Sequence, residues 1–228
     1  MKRHSAKNET IKSQRLLDLL KGSQNTPYVE DYGSIKEYYL VEEIGDPQDY
    51  VDCFHDIRNS RSTDIIKIYI NCPGGNLFTT IQFIQVLAET EAHIIACVEG
   101  ACMSAATLIF LMADEFIITD HSMFMFHNYS GGTEGKGGEM YHGMIHERKW
   151  AATLFQEMYD GFLTQSEIVD LLNDKDIWLD SKQVFERLEK RAKKSERKLK
   201  ADLKAVDVST EQQIETETKK AKTAKRSK

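Results

Sequence analysis

Nowhere in this sequence do apolar residues run for the roughly 18 uninterrupted positions that a membrane-spanning helix needs. Nor do residues 1–26 hold the apolar middle of a secretory signal, because charged side chains are spread through them. A soluble, cytoplasmic protein is the expectation. Cysteine is scarce: Cys53, Cys72, Cys97 and Cys102 are the only four, and no two form a CxxC pair. In a reducing compartment these stay free and pack as small apolar groups. His93, Cys97 and Cys102 come nearest to a metal set, but zinc sites show tighter paired spacing, so no metal is expected. The GxxxxGK[ST] run of a phosphate-binding loop is missing as well, so no ATP site of that kind is expected.

The formal net charge of −6 is unevenly spread. Residues 189–228 carry 14 Lys/Arg against 7 Asp/Glu, which leaves the remainder of the chain at −13. An acidic body disfavours nonspecific nucleic-acid binding, and a basic tail with few apolar residues buries too little surface to fold alone. The chain therefore divides into a flexible leader at 1–27, with a short amphipathic patch at Leu16, Leu17, Leu19 and Leu20, a folded domain at 28–190, and a charged, disordered tail at 191–228. With 228 residues, one main domain with a sizeable core is expected.

Within that domain, strand-like and helix-like patterns alternate. Strands are expected at 38–41, 65–71, 93–98, 116–119 and 123–127, and helices at 47–59, 77–88, 104–112, 139–162, 166–173 and 181–190. Such a βαβα order implies crossover units and an α/β fold built on a parallel sheet with covered faces. The stretch 131–138, glycine-rich, is expected to be a loop or an irregular strand.

Three places invite chemistry. The small residues from Gly100 to Thr107 lie between a strand and an apolar helix, where a serine hydroxyl at Ser104 can stand clear and helix-end amides converge. The alternative is that Ser104 merely caps the helix. Pro73-Gly74-Gly75 follows a strand, and an unobstructed Gly75 N–H paired with that of Ala105 could make an oxyanion hole, although an ordinary turn would use the same residues. His127 ends an apolar run 23 residues after Ser104, and a strand-end imidazole is a suitable general base near neutrality.

Taken in order, Ile70-Asn71-Cys72-Pro73-Gly74-Gly75, then Gly100-x-x-x-Ser104-Ala105-Ala106, then Met125-Phe126-His127, then Asp176-x-Trp178-Leu179 resemble the four signatures of the Clp protease proteolytic subunit, phage-encoded relatives included. The resemblance spans residues 38–188. It implies a crotonase-like core with a protruding handle helix at 139–162, and a serine endopeptidase with Ser104 as nucleophile, His127 as base, Asp176 as the orienting acid, and Gly75 and Ala105 as oxyanion donors. It implies further a homo-oligomer of stacked heptameric rings that cleaves unfolded polypeptide in an internal chamber. No cofactor is needed in this chain, because ATP would be used only by a partner AAA+ unfoldase.

The chain departs from that pattern in places. Asn128-Tyr129 follows His127 where the family has a polar residue and proline, Cys102-Met103 replaces the small pair before the serine, and Glu186-Arg187-Leu188 stands where the family closes on a glycine. Asp174 rivals Asp176 for the acid, and Cys102 rivals Ser104 for the nucleophile. Other readings of the whole chain are a crotonase-type acyl-CoA enzyme, a phage capsid maturation protease, or a noncatalytic assembly protein of the same fold.

Overall fold

The computed structural model describes residues 33–197. The expected leader lies outside the described residues, as does the expected tail beyond 197. The chain divides into two compact units, 1–184 and 185–228. In the second, residues 185–197 are described and are helical.

The elements of the first unit run β1 (Ile35–Leu40), α1 (Val51–Arg58), β2 (Ile65–Cys72), α2 (Leu77–Glu89), β3 (His93–Met103), α3 (Ala105–Phe110), β4 (Glu115–Ile118), β5 (Met123–Phe126), α4 (Gly137–Tyr159), α5 (Gln165–Leu172) and β6 (Ile177–Asp180). A 3₁₀ turn at Pro47–Tyr50 precedes α1, so the expected helix at 47–59 begins as a tighter one. In the six-stranded sheet the order is β1-β2-β3-β5-β6, with β4 also on β3. The strands β1, β2, β3, β4 and β5 pair in parallel, as the βαβ reading requires.

β6 differs from that expectation. It pairs antiparallel with β5, setting Phe126 opposite Ile177 and Phe124 opposite Leu179. The sheet is thus mixed, and its last strand returns beside the one that carries His127. β3 also runs farther than expected: one edge lies along β2, while the other meets β4 at Ile95–Val98 and then β5 at Ala101–Met103. This length delivers residue 104 to the end of the sheet.

In β2, Ile66, Ile68 and Ile70 point into the core while the alternate Ile65, Lys67 and Tyr69 are half-exposed. β1 alternates likewise, and its exposed Tyr39 stacks on Tyr69 at 4.9 Å. Fully covered parallel strands would be buried on both sides. Among the described residues, the β1–β2 side of the sheet is packed on one face only.

The helix α4 has 23 residues, a length of about 35 Å at 1.5 Å per residue. Its later half buries Ala151, Leu154, Phe155 and Tyr159, whereas every residue from 141 to 149 is exposed. That exposed half corresponds to the expected handle, and the glycine-rich segment before it is a loop up to Lys136. No helix among the described residues is long and apolar enough to cross a membrane.

Candidate active site

Ser104 stands at the junction of β3 and α3 with φ 53° and ψ −129°. Positive φ is strained for a residue with a Cβ, at about 1–3 kcal/mol, and a sharp strand-to-helix turn of this kind lifts the side chain clear of the sheet. The turn is tied down on several sides. The Ser104 N–H donates to the Met125 carbonyl at 2.8 Å, which links the serine to β5. Its carbonyl accepts from the Thr107 N–H at 3.0 Å and from Thr107 Oγ1 at 2.6 Å. Thr107 Oγ1 in turn lies 2.8 Å from the hydroxyl of Tyr159, buried at the end of α4.

The upstream approach is equally constrained. Asn71 Oδ1 accepts from the Ala101 N–H at 2.9 Å, and a Cβ on Gly100 would come within 2.5 Å of that same oxygen. Only glycine leaves room for the bond.

The hydroxyl of Ser104 does not cap the helix. It lies instead 2.6 Å from His127 Nε2, with His127 just past the end of β5 and half-buried. The serine side chain therefore meets an imidazole and leaves the helix end uncapped. Cys102, the rival, is fully buried, and burial pushes its thiol well above the ordinary range.

The turn after β2 holds Gly74 at φ 104° and Gly75 at φ 142°. Gly74 O accepts from the Ile44 N–H at 2.7 Å and the Asn76 N–H donates to Ile44 O at 2.8 Å. These two bonds flank Gly75, so its own N–H faces away from Ile44. Asn76 then caps α2, its side chain accepting from the N–H groups of Phe78 and Thr79. Ala105 is the first residue of α3, where an N–H has no acceptor within the helix. Because α3 has only six residues, any anion there would be met by individual N–H groups more than by a helix dipole.

Gly75, Ser104, Ala105 and His127 share a cleft of about 670 Å³ with Asn76, Phe78, Tyr129, Gly131, Trp150 and Tyr159 among its walls. Phe78 and Trp150 stack at 5.8 Å.

Asp176 is not part of this contact. It is exposed, and among the described residues no hydrogen bond or ion pair joins it to His127. The rival Asp174 is engaged elsewhere, accepting from Asn128 Nδ2 at 2.8 Å. Asn71, Thr107, Tyr159 and Asn128 were not anticipated as site residues. Asn71 carried a signal in preceding Cys72-Pro73-Gly74-Gly75, whereas Thr107 and Tyr159 are 52 residues apart and carried none.

Among known protein families, the Clp protease model matches residues 50–187, a stretch that contains Gly75, Ser104, Ala105, His127 and Asp176. No curated protein matches the chain.

Proposed function

Since the chain belongs to the Clp protease family, whose members are serine peptidases, we propose that it hydrolyses peptide bonds with Ser104 as nucleophile and His127 as base. The observation that carries this reading is the 2.6 Å separation of Ser104 Oγ and His127 Nε2 across two adjacent strands. A serine hydroxyl is inert at its own pKa, and an imidazole in hydrogen-bond reach activates it.

In the proposed cycle, Ser104 Oγ attacks the scissile carbonyl carbon while its proton passes to His127 Nε2. The oxyanion of the tetrahedral intermediate is met by the N–H groups of Gly75 and Ala105, of which a single donor is worth roughly 10²–10³ in rate. The C–N bond then breaks and His127 returns its proton to the leaving amine, leaving an acyl ester on Ser104. A water, deprotonated by His127, attacks that ester and releases the new carboxylate, and the proton goes back to Ser104.

Asp176 is the proposed acid behind the base. Supporting this, the β5–β6 register sets Phe126 opposite Ile177, and one further step of the same register would set His127 opposite Asp176. Directly opposed antiparallel residues lie about 5 Å apart at Cβ. The substrate is proposed to be unfolded polypeptide, cleaved inside a homo-oligomeric ring chamber, with an AAA+ unfoldase as the source of the chains and of nucleotide hydrolysis. No cofactor within this chain is required by that scheme.

A second reading, an assembly or capsid maturation protein of the same fold with little or no turnover, draws on the lack of contact between Asp176 and His127. A fluorophosphonate probe separates the two. Labelling of the assembled wild-type chain that disappears in Ser104→Ala and in His127→Ala supports the peptidase, and absence of labelling in an assembled oligomer sinks it.

A further inference from the structure

We propose that Asp174 is a positioning residue for the base, its carboxylate fixing, through the Asn128 side chain, where His127 stands. The inference rests on the serine-peptidase reading. Asn128 directly follows His127 and is half-buried; its Nδ2 donates to Asp174 Oδ1 at 2.8 Å while its Oδ1 accepts from the Tyr129 N–H at 3.0 Å. Both ends of this amide are engaged, so it cannot swing without losing a hydrogen bond. A charge-assisted bond to a carboxylate is the stronger kind. The neighbouring cation does not compete for Asp174, since Lys175 Nζ pairs with Asp170 at 2.9 Å.

The backbone of Asp174 gives independent support. It follows Asn173, the C-cap of α5, and adopts φ 63°, with its N–H donating to Leu171 O at 3.0 Å and that of Lys175 to Asp170 O at 3.1 Å. This is the left-handed closing position of a helix, where glycine is preferred because a Cβ is penalised. Asp is a costlier residue than glycine for the turn alone. What it adds is a carboxylate within reach of Asn128.

The bond also closes an open end. β5 stops at Phe126, paired with Ile177 at the start of β6, and beyond that pair the two chains leave the ladder with His127 on one and Asp176 on the other. Asn128 and Asp174 lie outside those two residues and join the segments again. The clamp thus holds the chain just past His127 as the ladder holds it just before.

The test uses the full chain with Asp174→Gly, Asp174→Asn, Asn128→Ala and the double variant Asn128→Ala/Asp174→Gly. Three quantities are read: the rate of fluorophosphonate labelling, the melting temperature, and the imidazole ¹⁵N shifts of His127. Asp174→Gly should label roughly 10-fold more slowly, since small misplacement of a reacting group costs that much or more. It should melt no lower than wild type, because glycine suits the turn. Asp174→Asn keeps an acceptor and tolerates the same φ, so it should recover most of the rate. Asn128→Ala should match Asp174→Gly, and the double variant should be no slower than either. The His127 ring shifts should move in Asp174→Gly and stay in Asp174→Asn. Wild-type labelling in Asp174→Gly overturns the positioning role and leaves the peptidase reading standing, and a rate loss that tracks a lower melting temperature in both Asp174 variants overturns it too. If wild type is never labelled, the peptidase reading falls and the His127 shifts alone decide: movement in Asp174→Gly sustains the clamp, and no movement overturns it.

Discussion

A Cβ placed on Gly74 would stand 2.6 Å from the Cβ of Ser104. The two backbone turns that frame the cleft are therefore packed against each other with no room for a methyl group, and Gly74 adds a φ of 104° that L side chains avoid. Gly74→Ala should cost roughly 1–3 kcal/mol of stability and displace the serine. A fall of about 10²-fold in fluorophosphonate labelling, with a lowered urea midpoint, is the expected outcome.

The chain from Tyr159 to Thr107 to the Ser104 carbonyl has a fixed direction. The single hydroxyl proton of Thr107 goes to Ser104 O, so Tyr159 must donate to Thr107 Oγ1. Burial pushes the Tyr159 phenol far above its ordinary value and keeps it a donor. Tyr159→Phe removes one hydrogen bond and should cost about 1 kcal/mol, while Thr107→Val strands a buried phenol and should cost roughly 1–3 kcal/mol. Urea unfolding of both variants and of the pair should show the double variant less destabilised than the sum.

Asp64 supplies a pH dependence. Its carboxylate, 3% exposed, accepts from the Ser34 N–H at 2.8 Å, Ser34 Oγ at 3.0 Å and the Arg61 N–H at 2.7 Å. These bonds, those of the backbone first, hold its pKa far below the ordinary carboxylate value. A depressed native pKa contributes stability that is fully present above the unfolded value of about 3.9 and is lost as pH falls below it. Asp64→Asn should be less stable than wild type at neutral pH and should lose stability less steeply below about pH 4. Unfolding curves from pH 7 to pH 2 check both parts.

At position 104 the strained backbone and the hydroxyl can be separated. Ser104→Gly and Ser104→Ala both remove the proposed nucleophile and should both lose labelling. Glycine adopts φ 53° without penalty whereas alanine does not, so the glycine variant should be the more stable of the two by roughly 1–2 kcal/mol. Parallel thermal melts would show it, and equal stabilities would count against strain at this turn.

The parallel strands could be read from β-branched runs such as Ile65 to Ile70, which have few other uses. Ser104, His127 and Gly75 were legible because each follows an element whose end the sequence marks. β6 was not: Ile177-Trp178-Leu179-Asp180 is too short for a period to declare itself, and strand direction depends on a partner 54 positions earlier at Met123 to Phe126. The positive φ of Ser104 is hidden for a related reason, since a serine is not a residue that marks a left-handed turn. Asn128 and Asp174 are ordinary polar residues in sequence, and only the return of β6 beside β5 brings them together.

The bond from the Ser104 N–H to the Met125 carbonyl sets the proposed nucleophile and base at the ends of neighbouring strands of one sheet. The proposed separation then rests on strand spacing, which is nearly invariant, together with the Asn128–Asp174 bond just beyond the ladder. The loop from Tyr129 to Lys136 supplies cleft wall without carrying Ser104 or His127. Evolution, or a library randomised over that loop, is thus free to exchange what the cleft admits while Ser104 and His127 keep their spacing.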